Sequence, residues 1–408
     1  MKERFKITFR ALESRNFRLF FYGQGISLIG TWMQRVAMSW LVYRLTDSAF
    51  LLGVVGFASH VPIFLISPVA GVLIDRFSRR RILILSQTLA MLQAFLLAFL
   101  VFSGGVQVWH IIALSLILGL SSAFDIPGRQ SFYSQMVEKR EDLQNAIALN
   151  STLFHVARFV GPSLAGLVIA IFGEGVCFLL NALSYIAMII SLFMMRFQKP
   201  QKALDAGKNI FEEFKDGFDY VFNSSPIKKI LLMIAFVSLL GSPYMTLLPI
   251  FAKDILGGGP VTLGLLTSFT SIGALFAAVF IASRKKIKGT ENRMIGSGLI
   301  FACGLVFFSF SKILGLSLAL ISFVGAGMMG HNVSANSLIQ SLTPDDKRGR
   351  VMSLYAFSHQ GVMPFGELMA GFAAGILGGG ATLAISGGLI ALFLLILGPS
   401  LVYSLKKT

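Results

Sequence analysis

The hydrophobic pattern of the chain consists of long apolar segments separated by short polar connections. We count twelve such segments, each near or above the roughly 20 residues that an α-helix needs to cross a bilayer. The pattern therefore predicts twelve membrane-spanning helices, named spans 1 to 12, at approximately 17–43, 50–74, 82–102, 108–125, 144–172, 175–195, 227–252, 261–283, 293–310, 315–339, 350–377 and 381–403.

Basic residues indicate the orientation of these spans. If successive connections alternate between the two sides of the membrane, only three of the 35 Lys and Arg residues lie on one side, and two lie inside spans. The other 30 lie on the opposite side with both termini. Because positive charge stays on the side that is not translocated, this asymmetry predicts cytoplasmic termini. The five exceptions are Arg44, Lys253 and Lys312, and Arg35 and Arg158 within spans.

Composition excludes a soluble protein. The chain is 55% hydrophobic and 13% charged, with a mean hydropathy of +0.76, whereas a soluble domain carries roughly 25% charged residues. We therefore predict an all-α integral membrane protein. The net charge of +16 follows the cytoplasmic connections, which indicates contact with anionic lipid headgroups and argues against a nucleic-acid footprint.

The longest connection divides the spans six and six. We predict a cytoplasmic amphipathic segment (1–16), a first six-helix bundle (17–196), a cytoplasmic linker (197–226), a second six-helix bundle (227–403) and a cytoplasmic tail (404–408). The bundles repeat, since a shift of about 205 residues overlays Gln135 on Gln340 and Gly173 on Gly378. Two repeated halves indicate a transporter with its site between them.

Two polar regions have an amphipathic pattern. Phe5, Phe9 and Leu12 have helical spacing among basic residues, which predicts a short helix on the inner membrane surface. The linker also has the pattern of an amphipathic helix, resting on the bilayer or the protein, with a regulatory docking site as the alternative. Its apolar face carries Phe211, Phe214, Phe218, Val221 and Phe222, and its acids are Glu212, Glu213, Asp216 and Asp219.

Short motifs along the chain resemble those of the major facilitator superfamily. Gly71–Arg80, reading G-V-L-I-D-R-F-S-R-R between spans 2 and 3, is similar to its loop 2–3 motif. The resemblance covers roughly 10–400 and points to the branch that includes enterobactin exporters and macrolide efflux proteins. Its other motifs are G-T-W-M-Q (30–34), L-T-D-S (45–48), D-I-P-G-R-Q (125–130), R-F-V-G-P (158–162), N-A-L-S (181–184) and R-G-R-V-M-S (348–353).

The resemblance implies the major facilitator fold and a transporter in the bacterial inner membrane. It implies export of a small amphipathic molecule, drug-like or siderophore, by alternating access with proton antiport. Lysophospholipid movement between leaflets is the alternative transport reaction. Two departures limit the resemblance: Ser283–Lys288, the second-half counterpart of the loop motif, has no acid, and Ile112–Phe124 has no Arg where many proton-coupled relatives carry one.

The loop motif implies a cytoplasmic gate made of Gly71, Asp75, Arg76, Arg79 and Arg80. We expect Gly71 to admit a neighbouring backbone, and Asp75 to accept hydrogen bonds from an arginine or a helix N-terminus. A topology signal alone is the alternative.

Asp125 and Arg129 lie four residues apart at the inner end of span 4 and are expected to join the gate. Pro127, between them, argues against a simple helical pair. We interpret Asp125 as part of a structural lock, with proton coupling as the alternative.

A motif in span 5 favours exchange. Gly161-Pro162-Ser163-Leu164-Ala165-Gly166 resembles the antiporter motif of the superfamily. Its small residues allow close helix packing, and its proline permits a kink in a membrane helix.

Charged residues inside the spans are candidates for function. An arginine at the bilayer centre costs about 2.5–3.5 kcal/mol on insertion scales, so it needs a partner, a cavity or a use. We predict that Arg35 and Arg158, with Gln34 and His331, line a cavity that attracts an anionic or polar substrate. Structural bonds to neighbouring carbonyls are the alternative for both arginines, and outward extension of the side chain to the membrane surface is a further alternative for Arg35, which is nearer the outer end of its span.

Glu367 is the acid deepest in the second half. An acid surrounded by apolar groups can load and release a proton, which makes Glu367 the first candidate for proton coupling. Pairing with a buried arginine, or contact with the substrate, are the alternatives.

Other classes of protein fit the sequence less well. His60, His155, His331 and His359 fall within spans but show no ligand spacing on one helix, so we predict no metal site and disfavour metal export. The sequence has no nucleotide-binding loop, nucleophile constellation or haem motif, so we predict no cofactor and no enzyme. A channel is disfavoured by the repeat. The predicted partners are a small-molecule substrate, protons and membrane lipids, with no nucleic acid and a monomeric chain.

Overall fold

The computed structural model describes residues 8–196, 218–283 and 289–407, and their regular elements are helices. Contacts divide the chain into two units, one within Met1–Leu45 and Ala58–Ala206 and the other within Thr46–Phe57 and Gly207–Thr408. The predicted division at the linker places residues 46–57 in the first bundle, whereas their contacts are with the second unit. Most of the linker prediction and the loop at 284–288 lie outside the described residues.

Six long helices correspond to spans 1 to 6. They are α1 (Arg15–Thr46), α2 (Ala49–Arg76), α3 (Arg79–Phe102), α4 (Val108–Met136), α5 (Leu143–Phe172) and α6 (Glu174–Met194). α4 continues well beyond the predicted end of span 4 at residue 125. The reason is that its polar final turns bury Phe132, Tyr133 and Met136 in a core cluster of the first unit, so packing extends a helix that hydropathy alone ends early.

The N-terminal segment packs on the protein. Where the sequence predicts a helix on the membrane surface, the described part is a short 3₁₀-helix, Arg10–Glu13, and Phe9 and Leu12 contact the same core cluster. Arg10 holds it in place with an ion pair to Asp142 at 2.9 Å. Polar contacts with the region before α5 therefore position this segment.

Eight α-helices with both ends among the described residues follow the linker in the second unit. They are α7 (Ser225–Gly241), α8 (Tyr244–Ile250), α9 (Pro260–Ala282), α10 (Thr290–Phe310), α11 (Leu314–Leu342), α12 (Asp345–Ala356), α13 (Met363–Leu377) and α14 (Gly379–Lys407). Spans 7 and 11 are each interrupted. Span 7 breaks at Pro243, which cannot donate a backbone hydrogen bond, and span 11 contains the π-helical turn Phe357–Gly361, with Pro364 in the first turn of α13.

Ten helices in the described part of the chain are long and apolar enough to cross a membrane. The predicted spans 1 and 11 are missing from this set for different reasons. α1 has 32 residues, but Gln24, Gln34 and Arg35 lower the hydropathy of its central part, and α13 has only 15 residues after the π-helical turn. The protein is thus an all-helical membrane protein with about ten to twelve apolar helices.

The internal repeat is visible at two helix ends. α5 ends at Gly173 with a φ of +81°, and α13 ends at Gly378 with a φ of +83°. Only glycine adopts such a conformation at little cost, and in both places the next helix begins at the following residue. The predicted overlay of these two glycines is confirmed in their backbone geometry.

Glycines allow very close helix crossings. A Cβ atom added to Gly30 of α1 would lie 3.0 Å from the Cα of Asn181 in α6. In the second unit, a Cβ on Gly325 of α11 would overlap the backbone carbonyl of Thr270 in α9. Helices in lipid associate through such close backbone packing, because the hydrophobic effect does not drive one apolar helix onto another.

Replacing Gly325 by alanine is expected to destabilise the protein. The new methyl group meets rigid backbone at Thr270, and overpacking of this kind costs about 1–3 kcal/mol. The apparent melting temperature of the purified variant in detergent should therefore fall below that of the wild type. Gly388→Ala in α14 is the matched control, since its Cβ would meet nothing within 4 Å. Equal melting temperatures for the two variants would contradict the close crossing.

Candidate functional site

A chain of buried amides joins three helices of the first unit. Gln34 of α1 donates from Nε2 to Oε1 of Gln93 in α3 at 2.8 Å, and its Oε1 accepts from Nδ2 of Asn181 in α6 at 2.7 Å. Gln34 is 1% exposed, so in this conformation it positions α1 and presents no surface to a ligand.

Asp125 forms a buried ion pair. Its carboxylate pairs with Arg129 and accepts a hydrogen bond from Nε2 of Gln87 in α3 at 2.6 Å. Pro127 argues against a simple helical pair in the sequence, but α4 stays helical through the proline and keeps residues 125 and 129 one turn apart. The ion pair holds the Asp125 carboxylate within α4, and the hydrogen bond from Gln87 links it to α3.

The predicted gate arginines bind the ends of neighbouring helices. Arg79 donates to the carbonyl oxygen of Ser131 near the end of α4 at 3.1 Å, and Arg80 donates to that of Phe193 near the end of α6 at 2.8 Å. Carbonyls in the last turns of a helix carry partial negative charge, so cations are favourable there. These contacts attach the start of α3 to two other helices of the first unit.

The predicted gate has three further residues, Gly71, Arg76 and Asp75. Nothing lies within 4 Å of a Cβ added to Gly71, so the expected close backbone approach is not present in this conformation. Arg76 is exposed. The side chain of Asp75 lies outside the described part of the structure.

Both intramembrane arginines of the first unit lie against one tryptophan. The guanidinium carbon of Arg35 is 4.9 Å from the ring centroid of Trp32, and that of Arg158 is 5.4 Å from it. Trp32 is buried at 6% exposure, Arg35 is exposed and Arg158 is half-buried. The structure thus brings together two candidates that the sequence places in different helices.

The span 5 motif contacts α1 at this tryptophan. A Cβ added to Gly161 would lie 2.6 Å from the Cβ of Trp32 and 2.9 Å from the carbonyl oxygen of Ile29. α5 remains helical through Pro162, and both Pro162 and Gly166 are buried. In this structure the motif therefore creates a tight crossing of α5 on α1.

Glu367 lies at a second glycine crossing, formed by α13 and the first turns of α2 within the second unit. A Cβ on Gly56 would lie 2.9 Å from Oε2 of Glu367, and a Cβ on Gly53 would lie 2.9 Å from the Cα of Gly371. Glu367 is 3% exposed. Its carboxylate is therefore held against backbone that carries no side chain.

Aromatic and charged pairs flank this crossing. Phe57 contacts Phe365 edge-on with ring centroids 6.0 Å apart, and Phe50 contacts Phe372 at 6.5 Å. Asp47, just before α2, forms an ion pair with Lys253 in the π-helical turn that follows α8. Residues 46–57 are thus attached to the second unit along their whole length.

His331 has a different environment from the one predicted for a cavity residue. It is fully buried, with Nδ1 2.9 Å from the carbonyl oxygen of Met294. Beside it on α11, Asn332 lies 3.0 Å from Nε2 of His359 and accepts a hydrogen bond from Tyr355 on its backbone oxygen at 3.2 Å. His359 is part of the π-helical turn, a feature often found at functional sites.

Sequence reasoning missed several of these neighbours. Gln87, Gln93 and Asn181 are amides inside apolar spans, and their rarity there was a usable signal. Trp32 and Asn181 lie in the motifs G-T-W-M-Q and N-A-L-S, which carry the resemblance but assign no contact to either residue, and no local signal identified Gly56. No group of three or more metal-binding side chains is present in the residues that the structure describes.

A sequence profile decides the family. The profile of the transmembrane secretion effectors, a family of the major facilitator superfamily, matches residues 7–406. The chain belongs to this family. The protein is therefore a multi-pass membrane transporter of small molecules and not an enzyme.

Related proteins of known name align along almost the whole chain. The staphyloferrin A transporter of Staphylococcus aureus is 24% identical over 91% of this chain and 92% of its own length. Macrolide efflux protein A of Streptococcus pyogenes is 24% identical over 92% and 94%. The multidrug efflux pump Tap of Mycolicibacterium fortuitum is 24% identical over 86% and 85%.

Solved structures support the fold. A bacterial homologue of the lysosomal transporter Spinster superimposes with a TM-score of 0.74 at 10% identity, over 95% of this chain and 98% of that one. A bacterial homologue of the iron transporter ferroportin gives 0.71 at 18% identity, over 96% and 98%.

Asp125→Ala is expected to destabilise the protein by about 3–5 kcal/mol, because it removes the carboxylate that pairs with the largely buried Arg129. The measurement is the melting temperature in detergent. The double variant Asp125→Leu with Arg129→Leu removes both charges and should recover most of the loss. If the single variant is as stable as the wild type, the pair is not a structural lock.

Proposed function

We propose that this protein is a secondary active exporter that moves a small amphipathic molecule, drug-like or siderophore, out of the cell in exchange for protons. It works by alternating access in a bacterial inner membrane, with twelve spans and both termini cytoplasmic. The names of its relatives support export, and the asymmetry of basic residues supports the orientation.

The position of Glu367 is the observation that carries proton exchange. A protonated carboxyl group is neutral and fits the apolar crossing of Gly53 and Gly56 on α13. An ionised carboxylate is less favourable than a neutral carboxyl group in such a buried position. Loss of the proton thus favours separation of α2 from α13, and loading favours their contact.

α2 can transmit this change along the chain. It begins beside Glu367 in the second unit and continues without a break to Arg76, at the start of the loop motif. We propose that Arg79, Arg80 and Arg129 form the cytoplasmic gate at that end, with Asp75 as its acid. Asp125 is the second candidate for proton coupling, and Gln34 and His331 position the helices that line the pathway.

Proton release on ligand binding tests the role of Glu367. Detergent-purified wild type and Glu367→Gln are mixed with fluorescent drugs, a catecholate siderophore and lysophospholipids in weak buffer, with a pH dye as readout. A transported ligand is expected to release protons from the wild type and to bind Glu367→Gln with no release. The glutamine keeps the shape of the side chain but cannot ionise.

Asp219→Asn is the matched control, because Asp219 is an exposed acid. It should release protons like the wild type. Equal release from Glu367→Gln would mean that Glu367 is structural, and Asp125→Asn would then be measured in the same way. If every ligand binds without proton release from the wild type, proton antiport is wrong.

A further inference from the structure

The arrangement of Arg35, Trp32 and Arg158 defines a positively charged site inside the membrane. Both guanidinium groups lie within cation–π distance of one indole ring, so their central carbons are within about 10 Å of each other. An aromatic ring stabilises a cation but leaves its charge in place.

The ring between the two arginines is held firmly. Phe154 packs edge-on against Trp32 with ring centroids 5.8 Å apart, and the backbone of Gly161 crosses directly over its Cβ. Arg35 lies three residues after Trp32 on α1, and Arg158 lies three residues before Gly161 on α5. The crossing therefore determines the spacing of the two charges, which is what a binding site for a bidentate group requires.

The site lies too deep for a lipid headgroup in its usual position. At 1.5 Å per residue, Arg158 is about 21 Å along α5 from Phe172 and about 22 Å from Leu143, and Arg35 is about 16 Å from Thr46. The hydrocarbon core is only about 30 Å thick, so Arg158 is close to its middle. An anion that reaches this depth is one that the transporter admits.

We propose that Arg35 and Arg158, positioned by Trp32, bind the carboxylate of the transported molecule, which is a small amphipathic organic acid. The exposed guanidinium of Arg35 and the half-buried one of Arg158 offer paired N–H donors to carboxylate oxygens. Phe154, which is 39% exposed, offers an apolar surface to the rest of the molecule. The inference rests on the proposed transport function and narrows its substrate class.

A pair of fluorescent probes tests the charge requirement. Dansylglycine carries a carboxylate, and dansylglycinamide is its neutral counterpart with the same ring. Binding to the purified full-length protein in a neutral detergent is followed by dansyl emission. We expect dansylglycine to bind at least tenfold more tightly than the amide. Equal affinity, or no binding of either probe, would overturn the proposal.

Variants locate the site. Arg35→Gln and Arg158→Gln should each weaken dansylglycine binding at least tenfold and leave binding of the amide unchanged. Arg18→Gln is the matched control, as an exposed arginine on the same helix, and should bind both probes like the wild type. Arg158→Lys keeps the charge but loses the planar guanidinium group, so its affinity for dansylglycine should fall several-fold. Arg158→Lys replaces Arg158→Gln as the test if the glutamine variant does not fold. Unchanged dansylglycine binding in the arginine variants would refute the site.

Two further measurements distinguish the organic-acid site from a lipid site and separate binding from coupled transport. Citrate should displace dansylglycine from the wild type. Displacement by micellar phosphatidylglycerol but not by citrate would assign the site to a lipid headgroup and refute the organic acid. In proteoliposomes, carboxylate binding without flux driven by a pH gradient would refute proton-coupled export and leave the binding site standing. Flux of dansylglycine that is driven by the pH gradient and is unchanged in the arginine variants would refute the binding site and leave proton-coupled export standing.

Discussion

Polar groups in hydrocarbon must find their partners within the protein, and the polar contacts inside the first unit follow from this constraint. In the first unit, Gln34 bridges two other helices through amide hydrogen bonds, and Asp125 is satisfied by both Arg129 and Gln87. Each of these groups would be costly if left unpaired in an apolar setting. The contacts therefore specify which helices are neighbours more strictly than apolar packing does.

Glycine crossings supply the second requirement, which is close approach. Gly161 brings α5 onto Trp32, and Gly53 and Gly56 bring the first turns of α2 onto α13. The chemically distinctive groups lie at these crossings, with two arginines at the first and Glu367 at the second.

Some local features were predictable because their causes are local. The spans follow from runs of apolar residues, and the matching ends of α5 and α13 follow from glycines at equivalent positions of the repeat. The extension of α4 beyond residue 125 was missed because its last turns are stabilised by tertiary contacts of Phe132 and Met136. The sequence places Asp125 and Arg129 in one cluster, but Pro127 argues against a helical pair, whereas the membrane helix tolerates the proline and forms that pair.

Sequence alone determined that the chain spans a membrane and which charged residues lie within apolar helices. These properties depend on composition along a single helix. The tertiary structure decided which of those residues meet: Arg35 and Arg158 on one indole ring, and Glu367 against Gly56. Helical periodicity assigns a residue to a face of its own helix but says nothing about the helix that covers that face. That choice depends on backbone crossings between segments far apart in the chain.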